Sequence, residues 1–264
     1  MKPVEWIEGD GPIILTQPHC GTCVPEGMFE KLTPQGQHLG DTDWHIDKLY
    51  DGLLPGATVI RAPFNRYVID ANRAPTDASL YPGQNTTSLV PKTDFQGAQI
   101  WRESPHPDEV ARRRELYHKA YHHRVRAEVE RVKQRHGLVL IYDCHSIHSR
   151  RPFLFDGKLS DLNIGTNSGA SCADAFAAVI ESACDQSKQF SWVRDGRFRG
   201  GWTTRHYGQP HENVHAVQME VAQSAYLKDE NGNPPLYDAE AAAPLRSLLK
   251  TILAALERRA LMIM

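Results

Sequence analysis

Leu138-Val139-Leu140-Ile141-Tyr142-Asp143-Cys144-His145 is an apolar run of strand length that ends in three residues able to do chemistry. Its β-branched and aromatic content suits a strand buried on both faces, and the switch to Asp, Cys and His marks an end where a site can form. Immediately upstream, Pro107 to His136 carries Val110, Leu116, Tyr117, Ala120, Val125, Val129 and Val132 at helical spacing amid dense Arg, Glu and Lys. That pattern predicts a long amphipathic helix whose charge is a solvated face.

The same alternation continues outward. Strand-like runs occur at Ile13–Thr16, Ala57–Arg61, Tyr67–Asp70 and His215–Val221, and helices are expected near Trp44–Leu53, Gly169–Ser187 and Ala239–Arg259. No internal repeat or Pro/Gly/Ser linker divides the chain, so residues 1–264 read as one domain. Strands alternating with helices predict an α/β fold: a mixed, mostly parallel central sheet flanked by helices on both faces. Functional groups are then expected at the carboxyl ends of the strands. His19, the Asp70-Ala71-Asn72-Arg73 segment and Asp143-Cys144-His145 all follow predicted strands, whereas Glu220 lies inside one.

Composition narrows the class of function. Thirty Lys and Arg against 32 Asp and Glu give a formal charge of −2, with the two signs well mixed. No general affinity for nucleic acid or an anionic membrane is expected, and recognition of anions must be local. No apolar run approaches a membrane span, and Glu5, Glu8 and Asp10 stand where a signal peptide would need apolar residues, so a cytoplasmic location is expected. The five cysteines read as reduced thiols. Cys20 and Cys23 form a Cys-x-x-Cys, but a structural zinc site would need a second such pair.

Two histidines at separate strand ends can converge on one ion. His19 and His145 are so placed, and a hydrolytic zinc site typically adds one carboxylate while leaving a position open for water. The segment Gly40-Asp41-Thr42-Asp43-Trp44-His45-Ile46-Asp47 offers candidates at the start of a predicted helix. Asp43 is the preferred third ligand, with Asp41 and His45 as alternatives. Taken singly, Asp41 reads equally well as an N-cap and Asp43 as an acid favoured by the helix dipole.

Six ordered motifs carry a resemblance. Pro18-His19-Cys20-Gly21, Asp41 to Asp47, Asn65 to Arg73, Asp143-Cys144-His145-Ser146, Gly200 to Gly208 and Val217-Gln218-Met219-Glu220 resemble the N-formylglutamate amidohydrolases, a branch related to zinc carboxypeptidases and aspartoacylases. The resemblance spans nearly the whole chain. It implies hydrolysis of N-formyl-L-glutamate to formate and L-glutamate, in histidine degradation, with one Zn²⁺ per chain. The order His19, Asn72-Arg73, His145, Glu220 is kept. The wider carboxypeptidase pattern has a Glu three residues after its first His, and here that position is Thr22, so the third ligand must come from elsewhere.

The resemblance assigns Glu220 as general base and Asn72 with Arg73 as a clamp for a substrate carboxylate. A charged residue inside Ala216 to Ala222 is costly without a partner or a task. A dianionic N-acyl amino acid needs a second cation, and Arg66, Arg150, Arg151 and Arg205 lie nearest the motifs. Thr204, with Thr203, can add hydrogen bonds after Gly200-Gly201. Alternative functions are a related N-acyl amino acid deacylase, a carboxypeptidase-like zinc hydrolase, or a non-catalytic metal-binding protein on the same fold. A cysteine hydrolase built on Cys144 is disfavoured, because neighbours on a strand point to opposite faces and His145 turns away from it.

Overall fold

The computed structural model describes residues 2–79 and 86–263. Seven strands form one sheet: β1 (Glu5–Ile7), β2 (Ile13–Gln17), β3 (Thr58–Arg61), β4 (Val139–Ile147), β5 (Leu162–Gly165), β6 (Trp192–Arg194) and β7 (Val214–Ala222). The helices are α1 (Glu26–Phe29), α2 (Pro34–Gln37), α3 (Ile46–Tyr50), α4 (Pro107–Arg113), α5 (Lys119–His136), α6 (Asp174–Ser187), α7 (Trp202–Tyr207) and α8 (Ala239–Ile263). A π-helical turn, Arg114–His118, joins α4 to α5.

The sheet order is β1-β3-β2-β4-β7-β5-β6. The pairs β2·β3, β2·β4, β4·β7 and β5·β6 are parallel, while β1·β3 and β5·β7 are antiparallel. β4 therefore sits between two parallel neighbours, buried along its whole length. Its residues alternate between two cores. Leu140, Tyr142 and Cys144 pack with residues of α3, α6 and α8, whereas Val139 and Ile141 pack with residues of α5 and α7. Helices thus cover both faces, as expected from the alternating pattern. Fully burying such an aliphatic side chain contributes roughly 1.5–3 kcal/mol.

Period-two alternation then decides which polar groups meet. Asp143 and His145 share the face of Val139 and Ile141. The register aligns Thr16 with Asp143, Asp143 with Gln218 and His145 with Glu220, so all five side chains leave the same face of the sheet near its carboxyl edge. Helical cover gives way there to loops.

Some elements differ from the sequence expectation. Tyr67–Asp70 is a buried turn, not a strand. Its backbone groups bond outside any strand: Tyr67 N–H donates to Asn65 Oδ1, Val68 N–H to the Asn65 carbonyl, Asp70 N–H to the Leu89 carbonyl, and the buried Arg113 guanidinium of α4 donates to the Val68 carbonyl. Apolar content reported burial at this place, and side chains took the bonds that a sheet ladder would have supplied. The expected helix at Trp44–Leu53 is only Ile46–Tyr50, since His45 before it is left-handed at φ 60°. The helix expected from Gly169 starts at Asp174, and the last one continues to Ile263. The short strands β1, β5 and β6 were not anticipated. Among the described residues no helix is long and apolar enough to cross a membrane.

Candidate active site

His19 follows β2, Asp43 precedes α3 and His145 lies in the last turns of β4, yet their ligand atoms all fall within 4.8 Å of one another and all three are buried. The loops are held together by a backbone bond from Asp43 N–H to the His19 carbonyl. Gly21 lets the loop after His19 pack directly on the chain after β3, because a Cβ there would lie 2.3 Å from the Ala62 carbonyl oxygen.

Each imidazole is oriented from behind. His19 Nε2 lies 2.7 Å from Asp70 Oδ1, and His145 Nε2 lies 2.9 Å from Asp143 Oδ2. Both rings therefore turn Nδ1 toward Asp43, whose Oδ2 is 3.7 Å from His19 Nδ1 and 3.0 Å from His145 Nδ1. A carboxylate behind a histidine fixes its tautomer and raises its basicity, the usual support for a metal-binding imidazole. Two histidines and one carboxylate also match the donor set of a hydrolytic zinc centre.

The electrostatics fit a cation. Burial opposes charge on Asp43, but the hydrogen bond from His145 and the nearby His19 imidazole hold its carboxyl well below the usual range. Burial likewise opposes charge on His145, and the flanking Asp143 and Asp43 carboxylates overcome it and raise its pKa well above 6.5. The acidic charge around His145 that raises its pKa is charge that a metal ion would balance. Asp41 and His45, the alternative third ligands, point elsewhere: the Asp41 carboxylate accepts from Phe95 N–H, and His45 Nε2 contacts the Pro235 carbonyl.

Glu220 faces the same cleft beside His19, Asp43 and His145. Burial pushes its carboxyl up to about 8, with His145 opposing and Asp43 reinforcing the shift. Gln218 donates to Glu220 Oε2 at 3.1 Å and accepts from Gly201 N–H at 2.7 Å, so the glutamate is tied to the Gly200-Gly201 loop. Gly201 must lack a side chain, since a Cβ would lie 2.2 Å from Asn72 Nδ2.

The cleft encloses about 590 Å³, solvent at its mouth included. Arg66, Asn72 and Arg73 line it, together with Arg197, which sequence reasoning did not select. The cationic groups are not equivalent. Arg66 donates to Asp70 Oδ2 at 2.9 Å and to the Asp41 carbonyl at 3.2 Å, and lies 3.6 Å from Asp43 Oδ1, so its charge is committed to the acids around the histidines. Arg73 donates to the Thr87 carbonyl and hydroxyl on the cleft wall. Arg197 is anchored through the Leu154 carbonyl next to Phe198. Phe95, Ile147, Leu154 and Phe198 supply the apolar wall.

Thr204, Arg205, Arg150 and Arg151 do not line the cleft. Thr204 is fully buried against Gly200, and Arg205 Nε donates to the Gly200 carbonyl, so both brace the loop from α7. Asp143 was not selected as the partner of His145, though its place two residues away on the same strand face is the signal that could have found it. Arg197 gave no such signal, because it sits in an Arg-rich stretch that reads as surface. Cys144 is buried in the opposite core, where burial raises its thiol pKa well above 9.0, and it cannot serve as a nucleophile for His145.

The sequence profile of the N-formylglutamate amidohydrolases matches residues 11–227. The chain belongs to that family. N-formylglutamate deformylases of Pseudomonas putida and Pseudomonas aeruginosa are similar to it, at 40% identity over 97% of this chain and 96% of the relative, and at 41% over 94% and 93%. A solved N-formylglutamate amidohydrolase from Ralstonia eutropha superposes with a TM-score of 0.82, covering 98% of this chain and 99% of that one at 24% identity, a likeness of fold.

Proposed function

We propose that this family member hydrolyses N-formyl-L-glutamate to formate and L-glutamate, with one zinc ion held by His19, Asp43 and His145. The observation that carries the reading is the joining of a buried His-Asp-His donor set to a buried carboxylate, Glu220, in one small cleft. The names of the two Pseudomonas relatives supply the substrate.

A zinc ion at this place supplies Lewis acidity, polarising the amide carbonyl and easing loss of a proton from water. Glu220 accepts that proton and delivers it to the departing nitrogen. Its pKa of about 8 is close to working pH, and a cation held beside it would favour the ionised form that a base requires. Gln218 keeps the carboxylate aimed. Asp70 and Asp143 hold the two imidazoles, and Arg66 neutralises the excess acid behind them.

Arg73 and Arg197 are the candidate partners for the two substrate carboxylates, since a guanidinium grips a carboxylate through paired hydrogen bonds. Asn72 stands beside His145, its Nδ2 3.0 Å from His145 Nε2 and donating to Asp143 Oδ2 at 3.4 Å. Thr204 and Arg205 act indirectly, by bracing Gly200-Gly201. A non-catalytic metal-binding protein would have no need of Glu220. The test is formate release from N-formyl-L-glutamate beside acetate release from N-acetyl-L-glutamate. Faster turnover of the acetyl compound would make the protein a deacylase of wider scope, and no turnover of either would leave a binding protein.

A further inference from the structure

Three successive carbonyls in the turn that carries Asn72 and Arg73 are each held from outside the turn. The Ala71 carbonyl accepts from His122 Nε2 at 2.7 Å and the Arg73 carbonyl from His118 Nε2 at 2.9 Å. Between them, the Asn72 carbonyl accepts from the Trp202 backbone N–H at 3.4 Å. His118 ends the π-helical turn and His122 lies one turn later in α5, so the two rings share a face of the helix.

A carbonyl has no proton to give, so Nε2 must carry the hydrogen in both rings. In His122 this leaves Nδ1 to accept from the Tyr207 hydroxyl at 3.1 Å. Burial lowers the pKa of both imidazoles, consistent with neutral rings of fixed tautomer. The rings pack 4.4 Å apart, and His122 stands edge-on to Trp202 at 4.5 Å. Neither histidine lines the cleft that holds His19 and Glu220. They border a separate hollow with Arg126, Trp202 and His206.

The turn has no sheet ladder to fix it, yet two of its side chains, Asn72 and Arg73, line the cleft and a third, Asp70, supports His19. Asp70 supports His19 and accepts from Asn72 N–H, Asn72 reaches His145, and Arg73 lines the cleft. We propose that His118 and His122 are positioning residues for substrate recognition: as Nε2–H donors they fix the carbonyls of Ala71 and Arg73 and so set where Asn72 and Arg73 meet the substrate. This rests on the reading of Arg73 as the carboxylate clamp. Displacing a recognition group by an ångström can cost on the order of 10²-fold in efficiency, far more than losing one hydrogen bond remote from the chemistry.

The test compares His118→Leu, which removes the donor, with His118→Gln, whose amide nitrogen falls near the Nε2 position, and treats His122 likewise. All variants are full-length and zinc-loaded. Each Leu variant should raise KM for N-formyl-L-glutamate by roughly 10- to 100-fold with zinc content unchanged and kcat less affected, and each Gln variant should recover most of the loss. Where a Leu variant fails to fold, His118→Asn replaces it, being polar but too short to reach the Arg73 carbonyl. Equal losses in Gln and Leu variants, or an unchanged KM in the Leu variants, overturn the proposal. Hydrogen exchange of the backbone amides of residues 70–74 separates this from the functional reading, because it needs no substrate. If the wild-type protein releases no formate, faster exchange in the donor-less variants restored by Gln still supports the positioning role, and unchanged exchange refutes it.

Discussion

His145 and Glu220 are register partners on the parallel strands β4 and β7, so a candidate metal ligand and a candidate proton shuttle leave the same face of the sheet side by side. The relationship makes their roles separable. Glu220→Gln keeps the size and the hydrogen bond to Gln218 but removes the base. Turnover should fall on the order of 10²–10⁴-fold while zinc content and thermal stability stay near those of the wild type. Full zinc with near-normal turnover would place the base elsewhere.

Arg73 is expected to grip a carboxylate with its planar fork. Arg73→Lys keeps the charge and loses the paired geometry, so kcat/KM for N-formyl-L-glutamate should still drop at least about 10-fold. Arg197→Ala should act mainly through KM. A monoanionic analogue, N-formyl-L-glutamine, which keeps the α-carboxylate and replaces the side-chain carboxylate by a neutral amide, should be less sensitive to one of the two substitutions than the dianion is. Equal sensitivity of both substrates to both substitutions would remove the two arginines from carboxylate recognition.

Arg66 lines the same cleft but is expected to behave differently. It is buried against Asp70 and Asp43, and removing one partner of a buried ion pair leaves an uncompensated charge. Arg66→Ala should therefore lower unfolding free energy by roughly 3–5 kcal/mol and weaken metal retention. Urea denaturation and metal analysis of one preparation decide this. A variant of wild-type stability that had lost only substrate affinity would show Arg66 to be a substrate ligand.

His122 gives the fold a pH dependence of predictable sign. Burial holds its pKa well below 6.5, while the unfolded chain protonates near that value. Above pH 6.5 the group is neutral in both states. Below it the unfolded chain gains a proton that the folded chain excludes, and stability is lost as pH falls. His122→Gln removes this contribution. The stability difference between wild type and His122→Gln should be smaller at pH 5.5 than at pH 7.5, by ~1 kcal/mol. A difference that is constant with pH would mean that His122 protonates as readily in the folded protein.

The parts of the fold legible in the sequence are those where one residue type reports one fact. The runs around β2, β3, β4 and β7 are apolar and β-branched because they lie inside a covered sheet, and their polar endings marked the site. Tyr67–Asp70 shows the limit: burial and strand both produce an apolar run, and only the partners of its backbone groups, Asn65 and Arg113, tell them apart. His19, Asp43, His145 and Glu220 were found through motifs. The common face that brings His145 beside Glu220, set by the register of Thr16, Asp143, Gln218 and Glu220, depends on strand neighbours that are far apart in the chain. Arg66 and Arg197 mark the same boundary. Both are arginines near the cleft, and only geometry distinguishes the one committed to Asp70 from the one on the wall.

His19, Asp43 and His145 are expected to hold a single ion required for amide hydrolysis. The most direct measurement is formate release from N-formyl-L-glutamate by protein stripped with a chelator and then titrated with zinc, with bound metal quantified at each point. Activity should be absent from the stripped protein and should rise to a plateau at one zinc per chain, and His145→Ala should neither bind that zinc nor recover. Undiminished formate release from fully stripped protein would show that hydrolysis needs no ion at His19, Asp43 and His145.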